Sequence, residues 1–374
     1  MKTGKNIPVL RPTCAAVDLA ALKFNLNRAA QIARQRAANP KIMLMVKANA
    51  YGHGDILISS CAQENNLCAA FGAASIEEGI NLRQNGIKLP ILVLGSIYPF
   101  EYFKYALEND LSVTIGSLRA ANYIKDLAAE LKTTALCHVK HETGMNRIGS
   151  RKPAALEILK TLNNAPYIKI EGVYSHFARA DTDSDYTNMQ AAYFKEFLSE
   201  ASAQNLQTGL AHISASCAFL KYPALGFDMV RLGRLAYGLE DSFKPVLSLK
   251  SKVVFIKDAR ENTSIGYGRG FITARPSKIA TIPIGYGDGY SRALSNKARV
   301  LINGRRVPII GNIAMDMMTA DITDLGDIPV GSEVVLIGRQ ESEEITAKEL
   351  ADLAGTIDYE ILTSITSRVP RIAA

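Results

Sequence analysis

The sequence predicts an α/β fold, a (β/α)8 TIM-like barrel followed by a mostly β C-terminal domain. Three observations carry this. From about residue 13 to about residue 240, short apolar runs alternate with helical patterns at about thirty-residue intervals, the repeat of a parallel βα barrel. After about residue 244 the pattern becomes short alternating runs separated by turns. Lys47, Lys140, His176, Ser216 and Arg231 fall at or just past the C-terminal ends of strands, the face where barrel enzymes carry their chemistry. The expected domains are residues 1–243 and 244–374.

Eight apolar runs fit the barrel: Ala15 to Val17, Ile42 to Val46, Ala69 to Ala73, Ile91 to Leu94, Leu111 to Ile115, Ala135 to Val139, Ile168 to Val173 and Gly209 to Ile213. Asp18 is a helix N-cap before LAALKFNLNRAAQIA, and Ser75 with Glu78 reads as a capping box. A doubly wound sheet alternates similarly, but no glycine fingerprint follows the first strand. In the second domain Val253 to Ile256, Lys278 to Ile284, Arg299 to Ile302 and Val334 to Ile337 read as strands. Asn303 with Gly304 marks a hairpin, and Thr346 with Glu349 starts a helix near Thr346 to Ala354.

The chain has 374 residues, 48% of them apolar, enough for two domains. Its net charge of +7 is scattered, with no basic run or aromatic-interleaved patch, so nucleic acid is not an expected partner. The surplus suits small anions. The start, MKTGKNIPVLRP, lacks the apolar core of a signal peptide, and no segment approaches a membrane span. A cytoplasmic protein without membrane contact is expected. The five cysteines, Cys14, Cys61, Cys68, Cys137 and Cys217, lack metal-site spacing and are expected to be reduced; no metal is expected.

The run Ile42 to Val46 has the length of a strand buried on both faces, so Lys47 stands at a strand end. Asn49, Tyr51, Gly52, His53 and Gly54 follow, residues suited to a tight loop. Two readings are open: a surface lysine capping a strand, or a partly desolvated amine that forms an imine with pyridoxal 5'-phosphate. The whole segment VKANAYGHG resembles the cofactor-lysine signature of alanine racemases. That resemblance extends from Arg11 to Arg371 in at least six motifs, in the family's order. It implies that Lys47 carries the cofactor and is one of two catalytic bases.

The other roles follow from the same resemblance. DMVRLGRLAYG supplies Arg231, similar to the arginine that faces the cofactor's pyridine nitrogen. An arginine only donates, so that nitrogen stays largely unprotonated, the ring is a weaker electron sink, and racemisation is favoured over transamination. HISASCA supplies Ser216 for the phosphate, with backbone amides of Gly233 and Arg234; a serine opening a helix is equally an N-cap. Tyr359, in IDYEILTSITSRVPRI, and Tyr51 are further phosphate-side residues. His176, in VYSHFARAD, resembles the histidine stacked on the cofactor ring. SIGYGRGF supplies Tyr267 as the second base; a phenol ordinarily ionises near pH 10, so cationic surroundings must favour its anion.

KHETGMNRIG supplies Arg147 for the cofactor's phenolic oxygen and the substrate side, and Lys140 at a position often carbamylated in the family. The resemblance also implies a head-to-tail homodimer with shared active sites, Tyr267 coming from the partner. GNIAMDMM supplies Met315 and Asp316, matching the loop whose backbone contacts the substrate carboxylate. Asp181, Tyr286, Arg292 and Ile357 match the lining of a narrow substrate entrance. Five positions depart from the family pattern: Glu142 for aspartate, Ala215 for asparagine, Leu232 for proline, Arg234 for an aliphatic residue and Gly287 for alanine.

The implied activity is interconversion of L- and D-alanine, supplying D-alanine for peptidoglycan. A serine or broader racemase differs only in pocket shape, a matter of ~1 to 3 kcal/mol. A pyridoxal-phosphate-binding homeostasis protein is usually a single domain, and the second domain with Tyr267 argues against it. A basic-amino-acid decarboxylase would keep an acidic residue where Arg231 stands.

Overall fold

The computed structural model of the protein describes residues 10–374; most of the stretch read as lacking a signal peptide lies outside the described residues. The described chain forms two compact units. One comprises Leu22–Ala50 and Asp55–Lys244; the other comprises residues 10–21, Tyr51–Gly54 and Pro245–Ala374.

The larger unit is a barrel of eight parallel strands. In spatial order they are Leu210–His212, Ile168–Tyr174, Ala135–Lys140, Ser112–Ile115, Ile91–Val93, Ala70–Ala73, Lys41–Met45 and Met229–Leu232. Ladders join all neighbours along this order. Between the two end strands the seam is held by single bonds: Asp228 N–H to the Ala211 carbonyl (3.0 Å) and Arg231 N–H to the Ser214 carbonyl (3.0 Å). Four of the eight strands are buried along their whole length, as parallel strands covered by helices can be. Each fully buried leucine or isoleucine there contributes roughly 2 kcal/mol.

Seven of the eight predicted barrel runs contribute barrel strands, and one does not. Cys14–Val17 lies in the other unit's sheet, antiparallel to Leu247–Lys252 and parallel to Arg371–Ala373. Its burial alternates residue by residue, the mark of a strand with one covered face. The eighth barrel strand is Met229–Leu232, which carries Arg231.

In the smaller unit a mostly antiparallel sheet runs in the order Phe255–Ala259, Ser277–Ile282, Met318–Asp321, Arg305–Ile310, Arg299–Ile302, Glu333–Gln340, Leu247–Lys252, Cys14–Val17 and Arg371–Ala373. The run Val253 to Ile256 straddles the break between two strands instead of forming one. The Asn303–Gly304 hairpin is present, both residues at positive φ (47° and 66°), as a two-residue turn requires. Thr346 caps Ala347–Ala354 by accepting the Glu349 N–H (3.0 Å), but the Glu349 carboxylate binds Arg306, not the cap. Among the described residues no helix is long and apolar enough to cross a membrane. The five cysteines are free.

Candidate active site

The lysine loop begins where Lys41–Met45 ends. Its next residues are wound left-handed: Ala48 (φ 51°, ψ 53°), Asn49 (54°, 47°), Ala50 (53°, 52°) and Tyr51 (φ 54°). Each non-glycine residue so held costs roughly 1–2 kcal/mol, so specific bonds must impose the turn. Ala50 N–H donates to the Val46 carbonyl (2.7 Å), and Asp55 N–H donates to the Asn49 side chain (2.9 Å). Glu78 supplies a third tie, taking Ala48 N–H on one oxygen (2.8 Å) and Ala74 N–H on the other (2.6 Å). The expected capping box is therefore half formed. Ser75 accepts the Glu78 N–H (3.4 Å), but the carboxylate serves the lysine loop. Gly52 ends the turn at φ 84°, where a Cβ would stand 2.1 Å from the Leu362 carbonyl oxygen.

Burial holds Lys47 below the ordinary lysine range; Arg147 and Arg231 push the same way and Glu78 opposes them. Arg231 is buried and braced on all sides. Its Nη1 donates to His212 Nδ1 (2.7 Å), and its Nη2 lies within bonding distance of the Ser175 (2.8 Å) and Ile213 (2.9 Å) carbonyls and of His176 Nδ1 (2.9 Å). Burial and then the Arg231 charge hold both His176 and His212 well below the usual histidine value, so both rings are neutral. Tyr174 stacks on His212 with centroids 4.9 Å apart.

Lys140 ends its strand with Nζ buried, unpartnered and 4.6 Å from the Tyr174 ring centroid. Burial drives it well below the lysine range, reinforced by Arg231 and Arg147. Glu142 accepts the Gly144 amide, so the longer side chain caps its own turn. Ser216 Oγ gathers two loop amides, from Gly233 (3.2 Å) and Leu235 (3.2 Å). Arg234, where the family has an aliphatic residue, folds back on its loop, pairing with Glu240 (2.8 Å) and the Leu239 carbonyl (2.6 Å). Asp181 sits on an exposed loop and Arg147 is exposed.

In the smaller unit Tyr267 stands between Gly266 (φ 73°) and Gly268 (φ 66°) and is 76% exposed. Asn312 ties its main chain to the following loop by donating to the Tyr267 carbonyl (2.8 Å). Tyr286 and Gly287 N–H groups donate to the Ala314 (3.0 Å) and Met315 (2.9 Å) carbonyls. Arg368 donates to Asp316 (2.6 Å) and approaches Asp288 (3.4 Å), which Arg11 grips with both nitrogens (2.6 and 3.0 Å). At Gly287 a Cβ would lie 2.3 Å from Arg368 Nη1, so the missing methyl makes room for this guanidinium. Tyr51 and Tyr359 rings are 5.5 Å apart, while Arg292 and Ile357 are exposed.

Sequence reasoning gave no site role to Tyr174, His138, His212, Asn312 or Arg368 and read Glu78 only as a capping-box acid. His138 and His212 had a visible signal, a histidine within or at the end of an apolar run.

A parallel barrel with a depressed strand-end lysine among arginines and neutral histidines defines a (β/α)8-barrel enzyme whose strand-end site is rich in cations. Residues 17–241 match the model for the alanine racemase N-terminal domain, and residues 246–373 match that for the alanine racemase C-terminal domain. The chain belongs to the alanine racemase family. It is 42% identical to the alanine racemase of Halothermothrix orenii, covering 98% of each chain, and 39% identical to that of Methanococcus maripaludis, covering 97% of this chain and 99% of the other. Among solved structures, alanine racemase from Bacillus anthracis with bound L-Ala-P superposes at a TM-score of 0.91, with 35% identity over 98% of this chain and 96% of that one. Alanine racemase from Clostridium difficile 630 gives 0.90 with 37% identity, covering 96% and 95%.

Proposed function

We propose that this chain interconverts L- and D-alanine with pyridoxal 5'-phosphate, by proton transfer between Lys47 and Tyr267 on opposite faces of the substrate α-carbon. The carrying observation is the donor set at the barrel mouth. Arg147 and Arg231 both favour the neutral forms of Lys47 and Lys140, Lys140 Nζ is buried without a hydrogen-bond partner, and Arg231 donates to His212 and lies within bonding distance of His176. Such a set fits an anionic aldehyde cofactor: a lysine held toward its neutral form, a fixed donor for a ring nitrogen, and cations for phosphate and phenolate.

In this reading Lys47 holds the cofactor, Arg231 faces its ring nitrogen, His176 its ring, Arg147 its phenolic oxygen and the substrate side, and Ser216, Gly233 and Arg234 its phosphate. Tyr51 and Tyr359 on the phosphate, Met315 on the substrate carboxylate, and Asp181, Tyr286, Arg292 and Ile357 at the entrance rest on the family resemblance. Bound there, the cofactor supplies an electron-withdrawing ring in conjugation with the α-carbon. Arg231, a donor among neutral histidines, keeps that withdrawal moderate, so the proton returns before other chemistry intervenes. Burial holds Lys140 toward the neutral amine, the form that adds carbon dioxide, and a carbamate there would set a negative charge near Arg147. The exposure of Tyr267 supports its entering the site of a second copy, giving a homodimer with shared sites. The product would feed peptidoglycan synthesis.

The test is the initial rate of D-enantiomer formation from L-alanine and from L-serine, with Lys47→Ala and Tyr267→Phe beside the wild type. Fast alanine turnover lost in both variants supports the proposal. Preference for serine changes the substrate, and a cofactor-bound chain without turnover overturns it.

A further inference from the structure

We infer that His138 is a positioning residue for Arg231, acting through the His212 ring. The inference rests on the proposed role of Arg231 and deepens it. An arginine has no acceptor, so His212 Nδ1, 2.7 Å from Nη1, must present its lone pair. Neutral His212 then carries its proton on Nε2, which lies 3.1 Å from His138 Nδ1. That atom accepts, so the His138 proton is on its own Nε2. One donor, Arg231, thus sets the tautomers of two rings in series, and by the same logic the His176 proton is also on Nε2.

The series is buried: His138 is 4% exposed, His212 0% and Arg231 4%. A tautomer reversal at His212 would turn an N–H toward the guanidinium and leave two lone pairs facing each other, with no water to relieve either.

The barrel is shaped to hold this ring. Pairing between Ala135–Lys140 and Ile168–Tyr174 shifts at His138: Cys137 faces Ile170, His138 faces Gly172, and Glu171 is the extra residue of a bulge. At Gly172 a Cβ would lie 2.5 Å from His138 Nδ1, so the glycine makes the slot. The bulged Glu171 takes Ser112 Oγ (2.6 Å) and Lys169 Nζ (2.9 Å) instead of the imidazole. On the far side Tyr174, bonded to Thr114 (2.8 Å), stacks on His212 at an interplanar angle of 2°.

The test pairs His138→Leu, which removes the acceptor, with His138→Asn, whose amide oxygen can stand where Nδ1 does. Two-bond 1H–15N spectra of the protein labelled at its five histidines read the tautomers directly. The expected result is Nε2–H at His138, His176 and His212 in the wild type, with the hydrogen-bonded downfield shift of the His212 Nε2 proton lost in the Leu variant and kept in Asn. In the holoenzyme kcat for alanine falls about tenfold in Leu, the scale of one lost buried hydrogen bond, with KM within about twofold, and Asn recovers most of it. An Nδ1–H or cationic His212 in the wild type, or equal activity of Leu and wild type, overturns the inference. If Leu does not fold, the wild-type tautomers and the Asn variant decide it. A wild type that binds cofactor without racemising sinks the functional reading instead, and leaves the tautomer result standing.

Discussion

Glu78 accepts the main-chain N–H of Ala48 at 2.8 Å, immediately after Lys47. The same carboxylate takes Ala74 N–H, so one side chain fixes the left-handed turn to the next strand's end. Glu78→Ala removes both solvent-exposed bonds, whose donors water can then satisfy, and is expected to cost about 0.5–1.5 kcal/mol in urea unfolding. Glu78 also raises the Lys47 pKa against burial and the two arginines. Removing its charge in Glu78→Gln should therefore move Lys47 titration, followed by reductive methylation of the cofactor-free protein, to lower pH. An unchanged or higher midpoint would contradict this.

Gly287→Ala puts a methyl 2.3 Å from Arg368 Nη1 on a backbone that accepts alanine, so the guanidinium must move. Its bond to Asp316 is the one expected to break. Exposed pairs of this kind are worth about 0.2–1 kcal/mol, so KM for alanine should rise by up to about fivefold with kcat nearly unchanged. Steady-state kinetics would expose the opposite split.

Burial, opposed by Glu171 and reinforced by Arg231, holds His138 at about 4. The unfolded chain titrates near 6.5, so between these values it binds a proton that the folded chain refuses. This part of the stability is intact above pH ~6.5 and is lost as pH falls toward the folded value. Between pH 7.5 and 5 the wild type should lose about 2 kcal/mol more than His138→Asn, which has no such group. Denaturant titrations at the two pH values measure the difference; parallel losses would contradict it.

The barrel was legible because strands buried on both faces leave unbroken apolar runs, as Ile42 to Val46 does. Cys14–Val17 misled because a three-residue apolar run cannot reveal its partner, and the alternation that marks a one-faced strand appears only in its burial. Met229–Leu232 was hidden inside a motif read for Arg231. Lys47 at a strand end was legible, but the left-handed turn after it was not. Ala48, Asn49, Ala50 and Tyr51 have no common preference for it, and remote bonds from Glu78 and Asp55 impose it. Glu78 and Glu349 show the same limit: a capping-box spacing locates the helix start but not where the carboxylate goes. His138 needed a bulge and Gly172 across the sheet, neither readable from one strand.

The most direct test of two bases shared between copies is a hybrid dimer. Lys47→Ala and Tyr267→Phe chains with different tags are co-expressed, and the mixed species is isolated through both tags. If Tyr267 serves its partner's lysine, the hybrid has one intact site and should show up to about half the wild-type rate on alanine, far above either parent. An isolated hybrid as inactive as its parents would contradict shared two-base racemisation.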